Sequence, residues 1–206
     1  MEVASIQAFR RDPVRFWSFY SQRLASLGDA EPNPAHFALA RLETLGFLDG
    51  LITQNIDRLH RRAGSRRLAE VHGSIDSARC VACGAAYPHD RMVRDVARPG
   101  GVPTCECGAV LKPGVVLFGE DLPEEGFGQA IAWAEAADLL LVAGTSLEVW
   151  PVAGLPEVVL GRGGKLVIVN ATPTGYDAEA VVVVRDPVEE VLPAVVLELG
   201  EGGGLG

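Results

Sequence analysis

The segment Thr53–His60 concentrates polar side chains at one point of the chain. It holds amide, carboxylate and imidazole groups directly after the short apolar run Leu51–Thr53, and a further imidazole follows at His72, next to Gly73. An α/β sheet places its ligand crevice beyond the carboxyl ends of its strands, so side chains in this position can meet a bound molecule. The pattern therefore indicates a binding or catalytic site.

All four cysteines lie in two close pairs, Cys80 with Cys83 and Cys105 with Cys107. Two thiolates from one turn can approach one ion, and two such turns complete the tetrahedral shell that Zn²⁺ prefers. The alternatives are two disulfides, which a reducing cytoplasm disfavours, and a redox Cys-x-x-Cys, which leaves the second pair unexplained. We therefore predict one zinc ion. An all-cysteine shell leaves no position for water, so this zinc should be structural and should stabilise residues 73–111.

Alternating helical and strand-like segments surround the cysteine-bearing region. Periodic apolar positions predict helices over Pro13–Leu27, Ala35–Leu45, Glu125–Ala137 and Pro187–Leu199. Short and nearly all-apolar runs predict strands over Leu51–Thr53, Val115–Phe118, Leu139–Ala143, Lys165–Val169 and Ala180–Val184. Strands of this composition are typically buried on both faces, so we expect a parallel sheet within an α/β fold.

Small polar residues follow two of these predicted strands. Gly144–Ser146 comes after the run 139–143, and Asn170–Thr172 comes after the run 165–169. Glycine permits a close backbone approach, and hydroxyl groups can bind phosphate or ribose. Each segment alone is better explained as ordinary turn chemistry, but their shared position at strand ends favours a nucleotide site.

Composition narrows the possible partners. The chain has 206 residues and a formal net charge of −9, which argues against binding duplex nucleic acid because phosphate contacts need clustered lysine and arginine. Basic proteins or peptides remain possible partners. The sequence starts without the pattern of a signal peptide, and no apolar run approaches the roughly 20 residues that span a bilayer. We therefore expect a cytoplasmic protein with no membrane partner.

The order of motifs along the chain resembles that of the sirtuins, the NAD-dependent protein lysine deacylases. The matching segments are Pro32–His36, Thr53–Gly64, His72–Gly73, the four cysteines, Lys112–Glu120, Gly144–Val149 and Asn170. The resemblance implies a Rossmann-like parallel sheet that binds NAD, formed by residues 1–72 and 112–200 with a helical segment at 1–45. It further implies a small zinc-ribbon module inserted at 73–111, and an acyl-lysine tunnel between the two. Residues 201–206 are predicted to be a flexible tail.

The resemblance also implies a reaction. The chain is expected to deacylate lysine in acylated proteins or peptides, releasing nicotinamide and O-acyl-ADP-ribose. His72 would act as general base on a ribose hydroxyl, since a neutral imidazole can accept that proton near pH 7. Asn55 and Asp57 would hold the nicotinamide ribose and carboxamide. The alternatives are a structural histidine at position 72, and a helix cap or an ion pair with a neighbouring arginine for Asp57.

Site residues are carried over from the family position by position. Those expected to contact NAD are Gln54, Asn55, Ile56, Asp57, Gly144, Thr145, Ser146, Asn170, Ala171, Thr172 and Val188. Those expected to contact the acyl-lysine substrate are Val115, Val116 and Phe118 in the tunnel and Gly119 and Glu120 along the peptide backbone. The expected zinc ligands are Cys80, Cys83, Cys105 and Cys107.

A Tyr-x-x-Arg element suggests the acyl group. Tyr20 and Arg23 are three residues apart on one helical face, where a phenol and a guanidinium can grip one carboxylate. The pair resembles the element of desuccinylase-type sirtuins and implies activity on succinyl- or malonyl-lysine besides acetyl-lysine. The alternative is an exposed arginine beside a core tyrosine.

The sequence also departs from the family pattern. Sirtuins carry Gly-Ala-Gly and Asp-Phe-Arg motifs before the first matched segment, and these 206 residues lack both. We therefore expect a start upstream of the one given, the other explanation being an impaired variant. Two other functions stay open. One is a non-catalytic module that binds acyl-lysine or ADP-ribose, and the other is an NAD-dependent protein ADP-ribosyltransferase.

Overall fold

A computed structural model describes residues 2–98 and 100–202. The α-helices are α1 (Ile6–Arg11), α2 (Pro13–Gly28), α3 (Pro34–Leu45), α4 (Leu59–Arg62), α5 (His89–Val96), α6 (Glu124–Ala136), α7 (Leu155–Gly161) and α8 (Val188–Gly202). The strands are β1 (Leu51–Thr53), β2 (Leu68–Glu70), β3 (Gly73–Cys80), β4 (Ala86–Pro88), β5 (Leu111–Val115), β6 (Leu139–Ala143), β7 (Lys165–Val169) and β8 (Val182–Val184). In the described part of the chain, no helix combines the length and apolarity needed to cross a membrane.

The chain forms two units. Unit 1 comprises Met1–Glu31, Asn55–Arg58 and His72–Pro123, and unit 2 comprises Pro32–Gln54, Leu59–Val71 and Glu124–Gly206. These limits differ from the predicted 73–111 module because the N-terminal helices group with the cysteine-bearing segment. The physical reason is an aromatic cluster on α2, described next.

Unit 1 is built around an antiparallel sheet of strand order β4-β3-β5. Helix α2 begins where the Asp12 carboxylate accepts the Arg15 backbone N–H at 2.9 Å, an N-cap that satisfies an otherwise unpaired donor. Its buried face carries Phe16 and Trp17, which pack with residues of β3 and β5 in one core cluster. The Trp17 indole donates to the Leu111 carbonyl at 3.0 Å. This core ties α2 to β3, which ends at Cys80, and to β5.

Unit 2 contains the parallel strands. β1 pairs with β2, and β6, β7 and β8 form a second parallel sheet in that order. Helices α3 and α8 pack together, with Leu39, Leu42 and Leu192 buried at their contact. Since Ala143 of β6 stands opposite Val169 of β7, the two loops that follow these strands leave the sheet at the same edge. This register confirms the predicted placement of the two polar segments.

Most predicted elements are confirmed, and β6 and β7 have the predicted bounds. The strand predicted at Val115–Phe118 is wrong: β5 is Leu111–Val115, and the Phe118 side chain is 53% exposed. Pairing with β3 decides this, because Leu111 lies opposite Cys80 and the ladder ends at Val115. The strand predicted at Ala180–Val184 is shorter, Val182–Val184.

Two further predictions need correction. Full burial of the parallel strands is wrong at the sheet edges, where Leu139 is 51% and Val182 48% exposed. The predicted tail at 201–206 begins too early, since α8 continues to Gly202. The rest of that predicted tail, residues 203–206, lies outside the described residues.

Candidate functional site

The four cysteine sulfurs converge in unit 1. All four Sγ atoms lie within 4.8 Å of one another, with 3.5 Å between those of Cys80 and Cys107 and 3.6 Å between those of Cys83 and Cys105. All four cysteines are free thiols rather than disulfides. Sulfurs bound tetrahedrally to one Zn²⁺ at about 2.3 Å stand about 3.8 Å apart. The spacing and the all-sulfur donor set therefore fit one structural zinc ion, as predicted.

The Tyr87 side chain adjoins this cluster. Its hydroxyl lies 3.1 Å from Cys105 Sγ. This contact, together with the backbone N–H of Cys107, lowers the pKa of the Cys105 thiol to about 6. A lowered thiol pKa favours the thiolate, which is the form that binds metal.

A group of predicted NAD contacts meets at the carboxyl edge of the strands in unit 2. The Thr145 hydroxyl donates to Gln54 Oε1 at 3.3 Å, which joins the loop after β6 to the residue after β1. Gly144 has a φ of +63°, a left-handed conformation that favours glycine. The Val188 side chain lies against this turn, about 3.9 Å from where a Gly144 Cβ would stand. The Ser146 hydroxyl donates to Glu148.

The loop after β7 forms the next part of this edge. Asn170 is buried at 7% exposure, and its side-chain amide donates to the Thr172 carbonyl at 2.8 Å. Ala171 lies between them and is exposed. The Arg185 guanidinium donates to the carbonyls of Asn170 at 2.9 Å and Thr172 at 3.0 Å and pairs with Asp177. Sequence reasoning did not assign Arg185 a role, although a basic residue directly after β8 falls at this sheet edge.

The segment Asn55–Arg58 belongs to unit 1. The Ile56 carbonyl accepts the Ile75 backbone N–H at 3.1 Å, which fixes the segment to β3. The Arg58 guanidinium donates to Asp76 at 3.0 Å, and Arg58 has a positive φ of 69°. Asn55 is exposed and Asp57 is half-buried. Positive φ in a non-glycine residue is uncommon and clusters at functional sites.

His72 is the residue directly before β3. It is half-buried, and its carbonyl accepts the Val116 backbone N–H at 2.8 Å. Gly73, which follows it, has a φ of +73° and lies opposite Val115 in the β3–β5 pairing. The structure therefore brings the backbone of His72, the predicted general base, next to the predicted tunnel residues Val115 and Val116, where β3 begins and β5 ends.

Replacing Gly73 by alanine is expected to destabilise unit 1 by more than about 2 kcal/mol, because the left-handed backbone disfavours a side chain and the site is crowded. A Cβ there would stand 2.2 Å from the Gly114 carbonyl oxygen. Gly84→Ala is the matched control, since Gly84 has the same φ of +73° and no atom of the described residues within 4 Å of its Cβ position. Urea denaturation measures both variants. Equal losses of unfolding free energy would contradict the role of crowding.

The segment after β5 is held by an ion pair. Lys112 Nζ lies 2.9 Å from Glu120 Oε2, and that carboxylate also accepts the Leu117 backbone N–H at 2.9 Å. The Glu120 backbone N–H donates to the Leu117 carbonyl, so it is engaged within the turn. Gly119 has a φ of +87°. The Phe118 backbone pairs with the chain around Ser5, through a parallel bridge. These contacts fix the shape of the predicted substrate segment.

Tyr20 and Arg23 lie on helix α2. The Tyr20 ring is buried and stacks on Phe16 with centroids 5.3 Å apart. Its hydroxyl is buried and has no hydrogen-bond partner among the described residues. Burial raises the pKa of the Tyr20 phenol, against the opposing charge of Arg23. Arg23 is exposed. The burial of this pair is the one that the alternative interpretation, a core tyrosine with an exposed arginine, predicts.

Comparisons with known proteins agree with this geometry. Residues 1–151 match the model of the Sir2 family. The chain is 47% identical over 195 residues to an NAD-dependent protein deacetylase of Sulfurisphaera tokodaii, covering 95% of this chain and 77% of that protein. It is 46% identical over 195 residues to an NAD-dependent protein deacylase of Thermococcus kodakarensis, covering 93% and 76%.

Solved structures show the same fold. The structure of Sir2Tm bound to a propionylated peptide superposes with a TM-score of 0.91 at 38% identity, covering 96% of this chain and 84% of that one. A mutant of a Sir2 homologue in complex with ADP-ribose superposes with a TM-score of 0.93 at 40% identity, covering 100% and 81%. The motif order, the cysteine cluster and these matches agree, and the chain belongs to the Sir2 family, the sirtuins.

Proposed function

We propose that this chain is an NAD-dependent protein lysine deacylase. The observation that carries the proposal is the position of His72, whose carbonyl is hydrogen-bonded to Val116 of the predicted acyl-lysine segment. Two relatives at 46–47% identity are named as an NAD-dependent deacetylase and deacylase, which supports the same activity. Nicotinamide and O-acyl-ADP-ribose are the proposed products.

Within unit 2, the polar edge formed by Gln54, Gly144–Ser146 and Asn170–Thr172 would contact NAD. The hydrogen bond from Thr145 to Gln54 uses the hydroxyl proton, so the side-chain N–H groups of Gln54 would be the donors to ribose or phosphate oxygens. The Asn170–Thr172 loop would contact the adenosine end, with Val188 beside it. NAD, when bound, supplies the ADP-ribosyl group that receives the acyl group.

His72 would remove a proton from a ribose hydroxyl of the bound dinucleotide. An imidazole nitrogen can accept this proton because its ordinary pKa lies close to physiological pH. Asn55 and Asp57 would orient the nicotinamide carboxamide. The Asn55 side chain can both donate and accept hydrogen bonds, and the Asp57 carboxylate can accept them. Val115, Val116 and Phe118 would surround the acyl-lysine side chain and exclude water from it.

Tyr20 and Arg23 would extend the activity to succinyl- and malonyl-lysine. The Tyr20 hydroxyl is a buried donor with no partner among the described residues, and leaving such a group unpaired costs about 1–3 kcal/mol. A carboxylate on the acyl group would satisfy it and would pair with the Arg23 guanidinium. An acetyl group offers neither contact.

Replacing Arg23 by methionine is expected to reduce kcat/KM for a succinyl-lysine peptide about 10- to 100-fold and to change deacetylation by less than about twofold. Methionine keeps much of the apolar stem but removes the charge. Arg15→Met, at an exposed position of the same helix, is the matched control and should leave both activities unchanged. Parallel progress curves on succinyl and acetyl peptides of one sequence measure the ratio. Equal losses of kcat/KM on both substrates would exclude recognition of the acyl carboxylate by Tyr20 and Arg23.

The experiment that tests the proposed function is NAD-dependent nicotinamide release from the full 206-residue chain, with acetyl-lysine, succinyl-lysine and unmodified peptides in parallel. Release that requires an acylated peptide supports deacylation. Mass spectrometry of the peptide separates the alternatives, since deacylation removes the acyl group whereas ADP-ribosyl transfer adds mass to protein. Tight binding of acyl peptide with no release from folded, zinc-loaded protein would replace the proposal with a binding module.

A further inference from the structure

The hydroxyl group of Tyr87 links the two halves of the Cys105–Cys107 turn. It lies 3.1 Å from Cys105 Sγ, and the Glu106 backbone N–H donates to the same oxygen at 3.3 Å. A cysteine bound to zinc is a thiolate and has no proton to give. The hydroxyl must therefore be the donor in its contact with Cys105, while it accepts from Glu106.

In both cysteine turns the backbone N–H of the second cysteine reaches the first sulfur, but the intervening N–H groups differ. In the Cys-x-x-Cys turn, Cys80 Sγ accepts directly from the backbone N–H groups of Ala82 at 3.4 Å and Cys83 at 3.5 Å. The second turn is Cys-x-Cys and is one residue shorter. Its intervening N–H, that of Glu106, reaches the tyrosine oxygen instead. The Glu106 N–H thereby polarises the Tyr87 hydroxyl, and this hydroxyl contacts the Cys105 sulfur.

Arg91 holds the tyrosine in place. Its guanidinium carbon lies 4.3 Å from the centroid of the Tyr87 ring, a cation–π contact. The same guanidinium donates to the Thr104 carbonyl at 3.2 Å and lies 3.7 Å from a Glu106 carboxylate oxygen. Arg91 of α5 thus contacts the Tyr87 ring and the residues on either side of Cys105. These contacts orient the Tyr87 hydroxyl group.

We propose that Tyr87 donates a hydrogen bond to the Cys105 thiolate in the zinc-bound protein and that this bond sets how long the zinc is retained. The bond draws charge from a sulfur in a shell of four thiolates, where repulsion between ligands is greatest. Hydrogen bonds to metal ligands typically change metal affinity about 10- to 100-fold. The inference is independent of the deacylase proposal, because it concerns the metal alone.

Zinc release to a chromogenic chelator tests the proposal on the zinc-loaded full chain. Tyr87→Phe is expected to lose zinc about 10-fold faster or more than the parent. Tyr176→Phe is the matched control, since it removes a hydroxyl that bonds to Glu157 in unit 2, and its zinc should leave at the parent rate. Equal release rates from all three proteins would overturn the proposal.

Cobalt substitution separates a lost hydrogen bond from a loosened fold. Removing a donor raises the energy of the sulfur lone pair, so the thiolate-to-Co²⁺ charge-transfer band of Tyr87→Phe should move to longer wavelength. An unchanged band with faster metal release would mean that only packing was lost, and would also overturn the proposal. Arg91→Met is the second variant, for use if Tyr87→Phe fails to fold, because it releases the Tyr87 ring but keeps the hydroxyl. It should show the same shift of the band to longer wavelength. An unshifted band in Arg91→Met would count against the proposal.

Discussion

His72→Ala is expected to lower the deacylation rate about 10²- to 10⁴-fold, the usual contribution of a general base, while zinc content and melting temperature stay at the parent values. The side chain would be lost but the backbone contact that positions it would remain, because the bond to Val116 uses the His72 carbonyl. The measurement is single-turnover formation of deacylated peptide, with zinc quantified on the same sample.

The control for this variant is His89→Asn. His89 is also half-buried in unit 1, where its Nδ1 contacts the Ile75 carbonyl at 2.8 Å, and it has no assigned role in the reaction. Its deacylation rate should remain within about twofold of the parent. Parent-level turnover by His72→Ala would remove His72 as the base and leave it a structural histidine.

Removal of zinc is expected to unfold the β4-β3-β5 sheet of unit 1. Binding of structural zinc to small domains contributes on the order of 10 kcal/mol, and four sulfurs within 4.8 Å of one another repel as thiolates once the ion is gone. Thermal melts followed by circular dichroism, with and without chelator, should differ by about 10 °C or more.

Restoring zinc after chelation provides the control for this result, because added Zn²⁺ should recover the melt whereas Mg²⁺, which prefers oxygen ligands, should not. Cys83→Ser, which weakens one ligand of the shell, is expected to give a melt close to that of the chelated parent. A zinc-free protein that melts within about 2 °C of the parent would show that the cluster is dispensable for folding.

Elements with strong local signals could be predicted from sequence. Helix α2 is indicated by Asp12 and Pro13 at its start, and β6 and β7 by unbroken apolar runs with a glycine close by. The strand β5 could not be found in this way, since it contains Lys112, Pro113 and Gly114 and is strand only because β3 pairs with it. Pairing partners distant in sequence override local composition.

The same difference between local and distant signals applies to the residues of the candidate site. The cysteine ligands follow from spacing, which is a local property, and the geometry confirms their convergence. Tyr87 and Arg185 were not predicted, because each acts through contacts with residues at least eight positions away. A single tyrosine or arginine carries no pattern of its own in one sequence. Such supporting residues become visible only when the fold places them.

Strand β3 has a consequence for how activity measurements are interpreted. It starts at Gly73, directly after His72, and ends at Cys80, so a single strand, irregular in its pairing between Gly73 and Ala78, joins the proposed base to the metal cluster. Eight residues in a regular strand span at most about 25 Å, and this strand lies between the ion and the proposed base. Disorder around the cysteines would nevertheless extend along β3 and displace the His72 imidazole. A loss of turnover on chelation would therefore result from displacement of His72. Such a loss should not be taken as a sign of metal-dependent chemistry.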